Sequence, residues 1–234
     1  MKIVFIRGGK VKKALFLLLL ACFWAISAAS AQDLDLAGKF GFSAFGSVDV
    51  PTGFTAADPM EGGLNRKLGF DFGVAADYFF TPLFGAGVDA SYTFFDADDF
   101  EGVESEDKFT VIMIGGHVKF AYPVVDLIVP YVSAGAGLAM PKIKDAASEF
   151  GPELVDIKIE NQVYIAGNIG AMFFVTDMFS VFGEAGGVYI PLKHVETTVE
   201  SDEGDLDGGD FPGNTPFLNF KAGISLWLDL LPAD

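Results

Sequence analysis

Nine ionisable side chains sit on one phase of an alternating pattern, where they could act on one another: Lys39, Asp49, Asp71, Asp77, Asp89, His117, Lys119, Glu184 and Lys221. If that phase lines a narrow interior, the low dielectric there makes opposite charges pair. The pairs would then plug the interior, or the same charges would line a small gated pore. Nucleophilic chemistry has less support. The two histidines are His117 and His194, the second near Glu196 and Ser201. Neither spacing is a triad signal, because triads are defined by geometry rather than order in the chain. A third group, Asp205, Asp207 and Asp210 with Gly208 and Gly209, faintly resembles a calcium loop. It lacks the ligand spacing and bidentate glutamate of an EF-hand. No catalytic residue, resident metal or cofactor is expected.

The elements that would position these residues are strands. Between 218 and 230 the even positions are Leu218, Phe220, Ala222, Ile224, Leu226, Leu228 and Leu230, and the odd ones include Asn219, Lys221, Ser225, Trp227 and Asp229. Successive side chains of a strand point to opposite faces, so one face is apolar and the other small or polar. The same alternation runs through 38–50, 68–80, 84–94, 110–122, 130–140, 163–175 and 179–191, giving eight strands. Short connections lie at Thr81-Pro82, 123–129 and Thr176-Asp177, and long ones at 51–66, 96–107, 142–161 and 193–216. Three short turns on one rim and four long loops on the other describe an antiparallel up-and-down barrel.

Which phase faces out decides the solvent. A soluble lipocalin-type barrel would put its apolar phase inside and a Lys/Glu-rich phase outside. Here the polar phase is mostly Gly, Ala, Ser and Asn, which suits the cramped interior of an eight-stranded barrel. The apolar phase carries no charge, as a lipid-facing surface requires. Segments of about 10–13 residues suit tilted strands crossing a bilayer, and closure removes edges that lipid cannot satisfy. Aromatics near strand ends suggest two interfacial girdles: Tyr78, Phe80, Phe84, Tyr122, Phe173 and Phe179 by the short turns, and Phe94, Phe109 and Tyr189 by the long loops.

The N-terminus has five basic residues without an acid, an apolar run at 14–29 and the small-x-small triplet Ala29-Ser30-Ala31. This is a secretory signal pattern, so residues 1–31 are expected to be removed and 32–234 to form one barrel domain. Leu19-Leu20-Ala21-Cys22 also resembles a lipobox, so lipidation of Cys22 is an alternative. With one cysteine in 234 residues, no internal disulfide supports the fold.

The chain is hydrophobic and acidic at once, with 51% hydrophobic residues and a formal net charge of −17. The hydrophobic content excludes a disordered polyanion, and the acidic balance excludes a nucleic-acid binder. Of the 32 acids, 21 fall in the four long loops. Charge and grease are therefore segregated, and the loops read as a solvated acidic face.

PYVSAGAGL at 130–138 resembles the Pro-Tyr-x-x-x-Gly-x-Gly strand of the outer-membrane β-barrel domain family, which includes OmpA-type, OmpX-type and opacity-protein barrels. DYFFTPLFGAGVDASYTF at 77–94 resembles its strand–turn–strand unit, and GAMFFVTDMFSVFGEAG at 170–186 its later hairpin, with Glu184 at the inward acid. The resemblance covers about 38–230, although the chain ends DLLPAD rather than on a terminal aromatic and carries no peptidoglycan-binding domain. It implies an outer-membrane protein of a Gram-negative cell envelope, inserted as a monomer by the barrel-assembly machinery among outer-membrane lipid and lipopolysaccharide. The expected role is structural or surface-interacting, toward an external ligand or surface that the sequence leaves open. A narrow porin-like channel for small or hydrophobic solutes is the alternative, and a lipid-modifying enzyme the third reading.

Overall fold

The computed structural model describes residues 35–57, 64–97, 107–123, 127–147, 154–192, 196–200, 206–210 and 213–229. Eight strands close the barrel: β1 (Lys39–Pro51), β2 (Arg66–Phe79), β3 (Phe84–Ala97), β4 (Lys108–Ala121), β5 (Ile128–Ala147), β7 (Gln162–Thr176), β8 (Phe179–Ile190) and β11 (Thr215–Asp229). Each pairs antiparallel with its neighbours, β5 with β7 across one gap and β11 with β1 across the closing seam. The eight segments read from alternation each match one of these strands.

Closure has a measurable stagger. The ladder from Gly41 runs through Asp77, Gly87, His117, Gly135, Ala166, Val188 and Phe217, and returns to β1 at Pro51, ten residues further on. Ten residues of about 3.3 Å rise across eight strands about 4.7 Å apart tilt the strands by about 40°.

Alternation sets the two faces. Phe42, Phe70, Phe72, Val74, Val118, Ile169 and Ile224 point outward and are exposed. A charge at mid-depth on a lipid-facing strand costs about 2–4 kcal/mol. The first outward charges accordingly stand at the long-loop rim, where Asp96 pairs across β3–β4 with Lys108. Two of the short turns share one device. Thr81 Oγ1 accepts the backbone N–H of Phe84 at 2.9 Å, and Thr176 Oγ1 that of Phe179 at 3.1 Å. A threonine hydroxyl thus closes each turn locally.

Three strands were not expected. β6 (Leu154–Ile159), β9 (Glu196–Glu200) and β10 (Leu206–Asp210) lie in segments read as loops. β5 overruns its expected end and carries β6, β6 pairs with β9, and β9 with β10. The third and fourth long connections therefore build one sheet that continues the barrel wall.

The interior holds more than the glycine, alanine, serine and asparagine that dominate its phase in the sequence. Two apolar clusters lie inside, one at each end. The long-loop cluster includes Phe95, Phe109, Val111, Met113, Ile190 and Phe217. The short-turn cluster includes Leu36, Phe79, Tyr131, Met172, Phe174 and Trp227. Phe109, placed in the outer girdle by sequence, points inward and is fully buried. It sits at the strand end, where the inward phase switches from small residues to a packed aromatic stopper.

Candidate functional site

Between the two apolar clusters lies a belt of inward-facing charges. The register assembles its main group. Asp77 on β2, Gly87 on β3 and His117 on β4 are successive partners on one ladder row. Gly87 leaves the gap that the group fills, since a Cβ there would stand 2.7 Å from His117 Nε2 and 2.8 Å from Asp77 Oδ1. His117 Nε2 lies 2.8 Å from Asp77 Oδ1, and its Nδ1 lies 3.0 Å from Asp89 Oδ1. Lys119 Nζ donates to Asp77 Oδ2 at 2.9 Å. Tyr164 adds a long contact to Asp89 Oδ2 at 3.4 Å.

A second group forms on β5, β8 and β11. Tyr131 donates its hydroxyl to Glu184 Oε2 at 2.8 Å, and Lys221 Nζ lies 3.1 Å from Glu184 Oε1. The Lys119 ammonium sits 5.0 Å over the Tyr131 ring and joins the two groups through a cation–π contact. Lys221 caps the Phe45 ring in the same manner at 5.1 Å.

The remaining expected residues do not join them. Lys39 is buried at the short-turn rim and pairs with exposed Asp229 at 2.8 Å. Asp49 and Asp71 lie nearer the long-loop cluster. Asp49 accepts a hydrogen bond from Ser47 at 2.9 Å. Neither acid has an ion-pair partner within salt-bridge distance among the described residues. His194, Ser201, Asp205 and Cys22 lie outside the described residues. Asp207 and Asp210 stand on β10, opposite Thr198 and Glu196, with a register shift between Asp207 and Gly209.

Several groups of the belt carry no charge pattern that a sequence would flag. Tyr131 and Tyr164 each send a hydroxyl to a belt carboxylate. Arg66 is turned inward beside a register shift in β2 and donates to the Asp107 carbonyl at 3.0 Å and to its carboxylate. No period-two reading foresees that, because a shift changes the phase. Trp227 donates its indole N–H to Ser180 at 2.8 Å.

The chemistry on offer is electrostatic. Both ring nitrogens of His117 are engaged by carboxylates, and no serine is among its hydrogen-bond partners. A cavity of about 80 Å³ lies along the belt, against Asp71, Asp89, His117, Tyr164, Asn219 and Lys221. That is room for several waters. Among the described residues, no group of three or more His, Cys, Asp or Glu side chains could hold a metal ion.

A closed antiparallel barrel with an outer face free of charge between its rims and a polar belt inside defines a transmembrane β-barrel. The family model described as outer membrane protein beta-barrel domain matches residues 14–214, and the chain belongs to that family. Membership indicates the bacterial outer membrane. Among solved structures, Neisserial surface protein A is 15% identical over 81% of this chain and 98% of its own, with a TM-score of 0.53. OprG from Pseudomonas aeruginosa is 12% identical over 83% and 97%, with a TM-score of 0.50. AlkL, determined in DMPC lipid bilayers, is 15% identical over 87% and 96%, also at 0.50. These likenesses concern the fold. Among curated proteins, none matches.

Proposed function

We propose that the protein is a closed outer-membrane barrel with a structural, surface-interacting role, holding an acid-rich sheet outside the cell. The observation that carries this reading is the double stopper. Phe95, Phe109 and Phe217 fill one end of the lumen and Phe79, Phe174 and Trp227 the other, all buried. Between them, three acids are already matched to cations: Asp77 to Lys119, Asp89 to His117 and Glu184 to Lys221. Paired charges between packed aromatics resist the hydration that an open path needs.

The rest of the reading follows from sequence. Residues 1–31 act as an export signal and 32–234 as the barrel, which the assembly machinery inserts as a monomer. The long loops, with 21 of the 32 acids, face outward toward an external surface. Divalent cations bridge those acids, including Asp205, Asp207 and Asp210, weakly to anionic lipopolysaccharide. The chain has no catalytic role and binds no nucleic acid.

In planar bilayers the purified barrel is expected to give no steady unit currents at molar salt. Stable currents would instead establish the narrow-channel reading. The orientation has its own test. A glutamate-specific protease added to intact cells is expected to cut within 101–106 and leave the barrel whole. Cutting only after the envelope is permeabilised would show that the acids face inward.

A further inference from the structure

In a chain of formal net charge −17, four lysines gather on one outward face at the long-loop rim. Register places them. Lys108 on β4 is the direct partner of Lys144 on β5, and Lys142 on β5 is the direct partner of Lys158 on β6. Lys142 and Lys144 stand two residues apart on one strand and so share a face, about 6.6 Å from each other along it. That face is the outer one. Ile143, between the two β5 lysines, turns the other way into the long-loop core, and so do Ile157 and Ile159 on either side of Lys158.

Like charges directly opposite one another on a sheet are destabilising, and here the arrangement occurs on two adjacent rows. The acids of the fold relieve it only in part. Lys142 Nζ pairs with Asp156 Oδ2 at 2.9 Å. Asp96 is the β3 partner of Lys108 without coming within salt-bridge distance. The ammonium groups of Lys108, Lys144 and Lys158 have no ion-pair partner among the described residues. Lysines that merely anchor a barrel rim at the interface would be spread around it. These are one-sided: on β1, β7, β8 and β11 the outward residues at the same rim are Val50, Val163, Tyr189 and Pro216.

The neighbouring wall identifies the occupant. On the membrane side of the lysine rows, Ile112 pairs with Met140 and Ile114 with Leu138. Ile112, Ile114 and Leu138 are exposed on the lipid face. An anion free in solution has no use for an apolar wall, whereas a phosphorylated lipid presents phosphate and acyl chain together at this height. Lysine suits phosphate as a compact point charge.

We propose that Lys108, Lys142, Lys144 and Lys158 seat the phosphate groups of one outer-leaflet glycolipid of the lipopolysaccharide type, whose acyl chains lie along Ile112, Ile114 and Leu138. Asp156 holds Lys142 in place, and the other three ammonium groups are left to the lipid. The site rests on the reading that the long loops face outside the cell. It needs no metal, unlike cation bridges between the loop acids and the same lipid.

The test is to titrate the folded barrel in nonionic detergent with bisphosphorylated lipid A, EDTA being present throughout, and to count bound lipid by native mass spectrometry. The wild type is expected to bind it, and to bind dephosphorylated lipid A at least about tenfold more weakly. Lys144→Gln with Lys158→Gln is expected to lose a similar factor while still migrating as a folded, heat-modifiable barrel. Lys67→Gln, an exposed position on β2 at the same rim, is expected to bind as the wild type does. Should the double variant not fold, Lys144→Gln alone and the comparison of the two lipids decide the matter. No binding in EDTA, equal binding of the two lipids, or a folded double variant that binds like the wild type overturns the proposal. Inorganic diphosphate that displaces the lipid at equal concentration would overturn the lipid assignment in favour of a free anion. The measurement in detergent does not depend on which rim faces outside, so its failure leaves the orientation to the protease test. Binding here together with loops that prove to face inward would overturn the outer-leaflet assignment.

Discussion

Replacing Asp77 with alanine is expected to lower the free energy of unfolding by about 3–5 kcal/mol, the loss that follows when a buried ion pair is broken from one side. Asp77 is 2% exposed, and its two oxygens serve different partners, His117 Nε2 at 2.8 Å and Lys119 Nζ at 2.9 Å. Removing it strands the Lys119 ammonium over the Tyr131 ring and frees one side of the imidazole. Asp77→Asn keeps the shape and loses the charge, so it is expected to fall between alanine and wild type. Adding Lys119→Met to Asp77→Ala removes the stranded charge and is expected to restore part of the loss. Urea titration of the barrel in lipid vesicles, followed by circular dichroism, reads all of these. A loss below about 1 kcal/mol for Asp77→Ala would mean that water reaches the belt and screens it.

Trp227→Ala is expected to be comparably severe, for a different reason. Trp227 is 1% exposed, with ring centroids 5.9 Å from Phe79 and 5.8 Å from Phe174. It lies so close over Gly41 that a Cβ there would stand 2.6 Å from the indole. Truncating a buried tryptophan costs about 3–5 kcal/mol through lost contacts and the cavity left behind. Ser180 also loses the donor it now accepts from. The barrel is expected to remain electrically silent, because Phe95, Phe109 and Phe217 close the opposite end independently. Destabilisation without conductance is the expected pair of results in circular dichroism and planar bilayers. Unit currents in this variant would show that the short-turn stopper alone seals the lumen.

The wall of the barrel was legible because lipid enforces a rule that sequence records directly. Phe70, Phe72 and Val74 share a face with nothing charged, and so do Ile165, Ile169 and Phe173. Period two therefore survives from end to end. The stoppers were not legible. Phe95, Phe109, Phe217 and Trp227 occupy the inward phase, and a pattern judged on the average of that phase sees its glycines and serines first. Their common property is position at strand ends, where the barrel needs filling rather than room. β6, β9 and β10 were missed because they never cross the bilayer. The strand Glu196–Glu200 pairs with β6 on one side and β10 on the other, outside the eight-strand closure.

The nine inward charges were legible as a set, but their partition was not. Alternation says that Asp71 and Asp77 face the same way. It does not say that Asp77 meets two cations and Asp71 none. That difference arises from the registers of β2–β3 and β3–β4, which set His117 beside Gly87 and Asp77 and set Thr93, not a base, beside Asp71.

β5 runs for 20 residues without interruption, about 66 Å at strand rise, and is hydrogen-bonded to β4 and β7 in the barrel and to β6 beyond it. A tether pulling on the outer sheet would thus load one continuous strand along its own axis. The ladders on either side would be sheared together rather than unzipped bond by bond. Mechanically, the protruding sheet is an extension of the wall and not an appendage hinged to it.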